Sequence, residues 1–206
     1  MLLYDYSKST AAYRVRIALS LKGLTYQREA VSLLDKHQHS DAYRSLNPAG
    51  LVPTLVDGDV TLSQSLAIIE YLDERYPGVT LLPNDPVQKA QCRSLALDIA
   101  CDMHPLNNLR VLQYLTGPFG HSDEDKVTWY HHWLKQGFDG LEAKLQGLDS
   151  PFIGGEAPNL ADICLVPQLF NARRFAFDLA AYPTLTRIEA QCQTLDAFIQ
   201  AHPDKG

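Results

Sequence analysis

Over the first part of the chain, the spacing of apolar positions changes between the pattern of β-strands and that of α-helices. Short apolar runs such as Leu2-Leu3-Tyr4 predict strands, whereas the spacing of Leu66, Ile69 and Leu72 predicts a helix. The dipeptide Asp57-Gly58 lies between two such runs and predicts a hairpin turn. The predicted elements are strand 2–6, helix 11–22, strand 26–31, short helix 40–46, strands 53–56 and 60–62, and helix 65–76. This βαβ–ββα order predicts that the first two strands are parallel and the last two antiparallel.

The pattern changes after a segment that is rich in Pro, Asn and Asp. Residues 83–86 show no periodicity and predict a linker, and every strong signal from residue 87 onward is helical. The predicted helices are 87–115, 122–148, 159–172 and 184–201. We therefore predict an α/β domain over residues 1–82 and an all-helical domain over residues 87–206.

Composition and charge exclude several classes of function. The chain has 206 residues and a net charge of −6, which argues against nucleic acid and anionic membranes as partners. We expect no signal peptide and no membrane-spanning segment, because the apolar runs are short. No spacing among the His and Cys residues matches a metal site or a redox pair, so we expect no metal. The four cysteines are expected to be buried, small apolar residues in a reducing, cytoplasmic setting: Cys92, Cys101, Cys164 and Cys192.

A short polar break separates the first predicted strand from the first helix. It reads Ser7-Lys8-Ser9-Thr10, and such a strand-to-helix turn leaves backbone N–H groups unpaired at the positive end of the helix dipole. An anion is favoured there, with the hydroxyls of Ser9 and Thr10 close by. From this turn alone the anion could equally be a phosphate.

Two further local signals are weak when taken singly. Pro53 opens a strand in the run Val52-Pro53-Thr54-Leu55, where a proline cannot donate to the ladder. Gln64 and Ser65 offer polar groups at another predicted helix start, and by itself Ser65 is best interpreted as the N-cap of that helix.

Together these signals resemble the cytosolic glutathione transferases. The shared features are the βαβ–ββα order, the Val-Pro-Thr-Leu run, the stretch QSLAIIEYL at 64–72 and the helical second half. The segment STAAYRVRIAL at 9–19 is similar to the zeta-class signature Ser-Ser-Cys-x-x-Arg-Val-Arg-Ile-Ala-Leu. The resemblance implies a thioredoxin-like N-terminal domain, an all-α C-terminal domain, glutathione as cofactor, and a homodimer.

The resemblance also implies that the anion at the first turn is the glutathione thiolate. A free thiol has a pKa of about 8.5, and lowering it by about two units requires roughly 2.7 kcal/mol. A helix N-terminus supplies about 0.3–1 kcal/mol, and a hydrogen bond to a charged acceptor about 1.5–3 kcal/mol. One hydroxyl and the helix end are therefore sufficient without a protein base. The resemblance makes Ser9 the hydroxyl donor and Thr10 a second donor or a backbone contributor.

The remaining cofactor contacts are assigned by the same resemblance. The Val52 backbone is expected to pair with the cysteinyl unit, with Pro53 in the cis form. Gln64 and Ser65 are expected to bind the γ-glutamyl carboxylate, and Gln38 the glycyl end. His104 and Asn108 are four residues apart in a predicted long helix and should share one face. His104 is interpreted as a hydrogen-bonding group, with a buried structural histidine as the alternative.

The zeta class includes maleylacetoacetate isomerase, and this implies a dianionic substrate. Arg110 and Arg174 are the candidates for holding its carboxylates, because guanidinium groups bind carboxylates in a bidentate manner. Lys8 occupies the position where the family has an arginine, so it keeps the positive charge but cannot bind a carboxylate in a bidentate manner. Arg173 is expected to be a solvated surface residue. Arginines 14 and 16 are expected to be structural or to lie at a dimer contact.

The implied reaction is the conversion of maleylacetoacetate to fumarylacetoacetate, a step of tyrosine and phenylalanine catabolism, by reversible addition of the thiolate. The alternatives are maleylpyruvate isomerisation and glutathione transfer or dehalogenation on small α-halo acids. A non-catalytic binding module is disfavoured, because such a module would not need the glutathione-binding residues. Ala11 replaces the family's Cys, and Lys8 its Arg, so the cofactor is better determined than the substrate.

Overall fold

The computed structural model of the chain describes residues 1–205. The chain divides into two compact units. Met1–Leu82 and the described residues from Gln193 onward form the first, and Pro83–Cys192 form the second. The prediction that the helical domain continues to the C-terminus is therefore wrong. The reason is that the C-terminal helix, Asp196–Ala201, packs on the first helix of the chain, where the guanidinium of Arg16 donates to the Ala201 carbonyl at 2.9 Å.

A four-stranded sheet forms the centre of the first unit, with the strand order β2-β1-β3-β4. The elements are β1 (Leu2–Asp5), α1 (Thr10–Leu21), β2 (Gln27–Ala30), α2 (Asp41–Leu46), β3 (Thr54–Asp57), β4 (Val60–Ser63) and α3 (Ser65–Arg75). β1 and β2 are parallel, β1 and β3 are antiparallel, and so are β3 and β4. The predicted topology is thus confirmed. The hairpin turn differs by one residue, because Asp57 pairs with Val60 and leaves Gly58 and Asp59 as the loop.

Helix α1 is buried on nearly every side because it packs against both α3 and the C-terminal helix. Val15, Ile17 and Leu19 are completely inaccessible. Arg14 and Arg16 are only 1% and 2% exposed, so within this chain both are structural, one of the two roles expected for them.

Five α-helices and one π-helical stretch make up the regular structure described in the second unit. They are α4 (Pro86–Leu97), the π-helical stretch Asp98–Met103, α5 (Leu109–Thr116), α6 (Asp123–Leu145), α7 (Leu160–Arg174) and α8 (Pro183–Cys192). Within residues 1–205, no helix combines the length and the apolar character needed to cross a bilayer.

Two of the predicted long helices are broken. The predicted helix 87–115 stops at Met103, because Pro105 has no amide hydrogen with which to continue the helix, although His104 before it keeps helical backbone angles of φ −58° and ψ −43°. Asn108 then caps α5 with its side chain. The predicted helix 184–201 is interrupted after Cys192, where Leu195 adopts extended backbone with φ −89° and ψ 131°.

A capping box begins α7. Asn159 accepts from the Ala161 amide at 2.8 Å, and the Asp162 carboxylate accepts from the Asn159 amide at 2.9 Å. Asp162 also accepts from the amides of Ile153 and Gly154, at 2.8 and 3.1 Å. Burial nevertheless raises the pKa of Asp162 to about 6. The box anchors the most deeply buried helix of the second unit.

Candidate functional site

The turn between β1 and α1 has the geometry expected of an anion site. Ser9 is the N-cap of α1, its hydroxyl oxygen accepts from the Ala12 amide at 3.2 Å, and its own amide donates to the Tyr6 carbonyl at 2.8 Å. A serine hydroxyl that accepts one bond still has its proton to donate, so capping and thiolate binding are compatible. Ser9 is half-buried, whereas Thr10, the first helical residue, is only 4% exposed. Ser9 therefore presents the more accessible hydroxyl, and the preceding Lys8 is exposed.

A buried arginine holds this turn in place. Both carboxylate oxygens of Asp5, at the end of β1, accept from Nη1 of Arg16 at 2.8 Å. The Ser7 carbonyl accepts from Nη2 of the same side chain at 3.0 Å. Burial lowers the pKa of Arg16 from its usual value, and Asp5 acts in the opposite direction. Arg16 thus joins the end of the strand, the polar break and the C-terminal helix.

The peptide bond between Val52 and Pro53 is cis, as predicted. Val52 lies before Thr54, where the pairing of β3 with its neighbours begins, so its backbone groups are outside that ladder. An extended peptide could pair with such a backbone segment.

A buried hydrogen-bond network supports this loop, and sequence reasoning did not find it. The Leu51 carbonyl accepts from the Tyr43 hydroxyl at 2.6 Å and from Nδ2 of Asn47 at 2.8 Å. The Thr54 hydroxyl lies 2.9 Å from the Tyr43 hydroxyl and 3.1 Å from Nδ2 of Asn47. The sequence carries the dipeptide Asn47-Pro48 here, which favours the end of a helix but indicates no role in the site.

The start of α3 differs from the prediction. Gln64, not Ser65, is the N-cap, and the Gln64 side chain makes no capping bond. Gln64 has φ 72° and ψ 114°, a backbone conformation that non-glycine residues rarely adopt and that is found preferentially at functional sites. Ser65 is the first helical residue and 5% exposed, and its hydroxyl oxygen accepts from Nη1 of Arg14 at 3.3 Å. The backbone at Gln64 keeps the Ser65 side chain out of the capping position.

Gln38 lies in a short 3₁₀ turn, His37–His39, at a close approach of two loops. A side chain at Gly50, which has φ 62°, would lie 3.0 Å from the Gln38 carbonyl, so the approach requires a glycine. Oε1 of Gln38 is buried and has no hydrogen-bond partner among the described residues. A side-chain amide in this state is suited to a ligand contact.

His104 and Asn108 are not on one helix face as predicted, because the helix ends before them. The His104 amide closes the π-helical stretch by donating to the Ile99 carbonyl at 2.8 Å, and the His104 side chain is half-buried. Asn108 is the N-cap of α5, and its side-chain oxygen accepts from the Arg110 amide at 3.2 Å. The Arg110 side chain is exposed at the start of α5.

The two adjacent arginines at the end of α7 have different surroundings. Arg173 is exposed, as expected for a surface residue, and it also forms a bidentate pair with Glu189, at 2.6 and 2.5 Å. Arg174 is exposed and donates from Nη1 to Oδ1 of Asn171 at 2.9 Å. Its guanidinium also lies 5.9 Å from the centroid of the Phe170 ring.

Neither a metal nor a cysteine nucleophile is indicated by the described side chains. No group of three or more His, Cys, Asp or Glu residues within residues 1–205 could hold a metal ion. Cys92, Cys164 and Cys192 are buried as expected, whereas Cys101 is exposed, contrary to the prediction. The first unit instead has two helix N-termini, both suited to anions, and a backbone segment at Val52 that lies outside the strand ladder.

The comparisons with known proteins agree with this chemistry. The glutathione S-transferase N-terminal domain family matches residues 3–80. A probable maleylacetoacetate isomerase of Vibrio cholerae is 50% identical, over 99% of this chain and 96% of its own. A solved maleylpyruvate isomerase, described as a zeta-class bacterial glutathione S-transferase, is 42% identical with a TM-score of 0.97, covering 100% of this chain and 98% of its own.

A third relative has been solved with ligands. The maleylacetoacetate isomerase of Methylobacterium extorquens, with bound malonate and glutathione, is 40% identical with a TM-score of 0.97, covering 100% of this chain and 98% of its own. The α/β unit and the helical unit define a glutathione transferase fold. The chain belongs to the zeta-class glutathione transferase family that contains the maleylacetoacetate and maleylpyruvate isomerases.

Proposed function

We propose that the protein is a glutathione-dependent isomerase that converts maleylacetoacetate to fumarylacetoacetate in the breakdown of aromatic amino acids. The observation that carries the proposal is Ser9, whose half-exposed hydroxyl caps α1 at the turn where the helix dipole favours an anion. The relative with bound glutathione and malonate supports both a thiol cofactor and a dicarboxylate substrate.

The residues of the first unit fit glutathione. Ser9 would donate to the sulfur, with Thr10 contributing from the first turn of α1. The Val52 backbone would pair with the cysteinyl unit, and Pro53 sets its direction. Ser65 and Gln64 would bind the γ-glutamyl carboxylate at the start of α3. Gln38 would lie at the glycyl end, where its unsatisfied Oε1 can accept from the glycyl N–H.

When bound, glutathione supplies a thiolate that adds reversibly to the conjugated cis double bond and so permits rotation about it. The chain's own contribution is to hold that sulfur ionised. The Ser9 hydroxyl and the α1 N-terminus stabilise the negative charge by about 2–4 kcal/mol in total, which lowers a thiol pKa by roughly 1.5 to 3 units.

The carboxylates of the substrate require cations. Arg174 and Arg110 are exposed guanidinium groups of the second unit, and Lys8 is an exposed cation beside Ser9. We assign them to the substrate carboxylates, with the arginines able to bind in a bidentate manner. We assign His104 and Asn108 to hydrogen bonds with the cofactor, as the family resemblance implies.

The experiment is a cis–trans isomerisation assay with and without glutathione. Maleylacetoacetate, maleylpyruvate and an α-halo acid are tested side by side on the purified protein. We expect glutathione-dependent turnover of maleylacetoacetate. Preference for maleylpyruvate would favour the second candidate, which the 42% identical maleylpyruvate isomerase supports. Turnover of the halo acid alone, with neither diacid isomerised, would contradict isomerase function.

We also assign the protein to the cytoplasm and to a homodimer. The support for the dimer is the family resemblance, and the support for the location is four free cysteines, which suit a reducing compartment. Sedimentation equilibrium tests the dimer, and a mass equal to one chain at micromolar concentration would contradict it. Cell fractionation with an antibody against the native chain tests the location.

A further inference from the structure

Asn171 joins the exposed Arg174 to the buried interior of the second unit. The two residues are three positions apart on α7, and Nη1 of Arg174 donates to Oδ1 of Asn171 at 2.9 Å. On its other side, Nδ2 of Asn171 donates to the hydroxyl oxygen of Tyr130. Tyr130 is completely buried and its ring stacks on Phe175, with centroids 3.8 Å apart and an interplanar angle of 10°. A rigid aromatic pair thus supports the amide.

The orientation of the Asn171 amide follows from the chemistry of its neighbours. A guanidinium can only donate, so the amide oxygen must face Arg174 and the amide nitrogen must face Tyr130. A long arginine side chain carries about 2 kcal/mol of rotamer entropy, and a fixed acceptor removes part of that freedom before substrate arrives. The Phe170 ring gives the guanidinium a second contact.

A neutral acceptor matters here because it leaves the guanidinium charge in place. The neighbouring Arg173 is held by the carboxylate of Glu189, which neutralises it. Asn171 accepts from Arg174 with an uncharged amide oxygen, so this hydrogen bond does not neutralise the guanidinium and does not compete with an incoming carboxylate. The ion pair of Arg173 with Glu189 is therefore suited to a structural role, whereas the hydrogen bond of Arg174 to Asn171 is suited to anion binding.

We propose that Asn171, held by Tyr130, is a positioning residue that presents Arg174 to a carboxylate of the substrate. The proposal rests on the proposed function, in which Arg174 binds one end of a dicarboxylate. It adds a specific requirement that the acceptor be both fixed and uncharged.

Four variants test it in the glutathione-dependent assay: Asn171→Ala, Asn171→Asp, Arg174→Ala, and the double variant with alanine at both positions. We expect Asn171→Ala to raise KM for the diacid about tenfold, the equivalent of one hydrogen bond to a charged group, and to leave KM for glutathione unchanged. Asn171→Asp is isosteric and retains an acceptor for Arg174, but it should raise that KM further because its carboxylate competes with the substrate. In the Arg174→Ala background, Asn171→Ala should have no additional effect.

The outcomes separate this inference from the proposed function. If the wild-type protein isomerises neither diacid, the proposed function fails and the inference fails with it. If Arg174→Ala raises KM for the diacid but Asn171→Ala does not, only the inference is overturned. Additive effects of the two alanine substitutions on KM for the diacid would also overturn it. So would equal increases in KM for the diacid and for glutathione, because they indicate a purely structural role. Tyr130→Phe, which removes only the hydroxyl, should reproduce a smaller part of the Asn171→Ala effect.

Discussion

Nη1 of Arg14 lies 3.3 Å from the hydroxyl oxygen of Ser65, and both side chains are almost inaccessible, at 1% and 5% exposure. Because Arg14 can only donate, the Ser65 oxygen accepts and the Ser65 proton points away from Arg14. The start of α3 therefore combines a directed hydroxyl donor, a helix N-terminus and a buried positive charge. These three features favour the same anion.

Ser65→Ala should weaken glutathione binding about tenfold. The substitution removes the directed hydroxyl and leaves the backbone amides of the α3 N-terminus in place, and a hydrogen bond to a carboxylate contributes about 1.5–3 kcal/mol. Titration calorimetry with glutathione measures the change. Ser63→Ala, at the exposed end of β4, is the matched control and should bind normally. Equal affinities for the two variants would remove Ser65 from the site.

Ser9→Ala should lose most isomerase turnover, about a hundredfold, while glutathione still binds. The expected cause is a rise of about one to two units in the pKa of the bound thiol, which the ultraviolet absorbance of the thiolate reports as a function of pH. Loss of the N-cap also destabilises α1 by about 1 kcal/mol, so unfolding is measured in parallel.

Thr10→Ala is the control for Ser9, because the Thr10 side chain is buried and its residue is the first of the helix rather than the cap. We expect a smaller loss of turnover and a smaller shift of the thiol pKa. A larger effect at Thr10 than at Ser9 would transfer the donor role to Thr10.

Asn47→Ala should reduce both stability and glutathione affinity. Nδ2 of Asn47 donates to the Leu51 carbonyl and to the Thr54 hydroxyl, on either side of Val52-Pro53. Leaving these buried acceptors with one partner fewer costs about 1–3 kcal/mol, and the loop that would bind the cysteinyl unit loses its support. Urea unfolding and glutathione calorimetry are the measurements, with the exposed Asn84→Ala as control. A stable variant with normal affinity would contradict this role for the network.

Tyr76→Phe should produce a pH-dependent loss of stability. Hydrogen bonds from Tyr76, at 2.6 Å, and Tyr71, at 2.8 Å, hold the pKa of Asp57 below its ordinary value. A carboxyl with a lowered folded-state pKa stabilises the protein above its unfolded pKa of about 3.9, and that stability is lost as the pH falls through the folded value. The variant should be less stable than wild type by under about 1 kcal/mol at pH 7, because the groups are half-exposed.

The difference in urea midpoint between wild type and Tyr76→Phe should stay constant from about pH 7 to pH 5 and narrow below about pH 4. Tyr114→Phe, at an exposed tyrosine in an edge-to-face contact with Phe119, is the control and should show no such dependence. A difference that widens on acidification would contradict the sign of the Asp57 shift.

Much of the first unit could be predicted because its signals are local. A short apolar run predicts β1, the Asp57-Gly58 dipeptide predicts a hairpin between β3 and β4, and a polar break before an apolar run predicts the start of α1 near Ser9. Each depends on neighbouring residues, and the structure confirms all three. The family resemblance added what local signals could not, namely the cis bond before Pro53.

Some of the errors have a local cause, and others arise where distant residues decide. Periodicity predicted one helix through residue 115, but Pro105 and the Asn108 cap divide it, so His104 and Asn108 do not share a helix face. Ser65 looked like a cap by composition, and only the backbone of Gln64 and the buried Arg14 beneath show otherwise. Arg173 and Arg174 are adjacent and identical in type, yet their partners come from different elements.

The sequence by itself determined the element order, the strand directions of the sheet, the anion-favouring turn at Ser9 and the family, because short-range periodicity, capping chemistry and matching motifs carry that information. Only the tertiary structure decided that the described residues from Gln193 onward return to the first unit, that Asn47 and Tyr43 support the loop before β3, and that Asn171 holds Arg174. These features depend on contacts between groups that are brought together only by the packing of the folded chain, and local sequence patterns carry no information about such contacts.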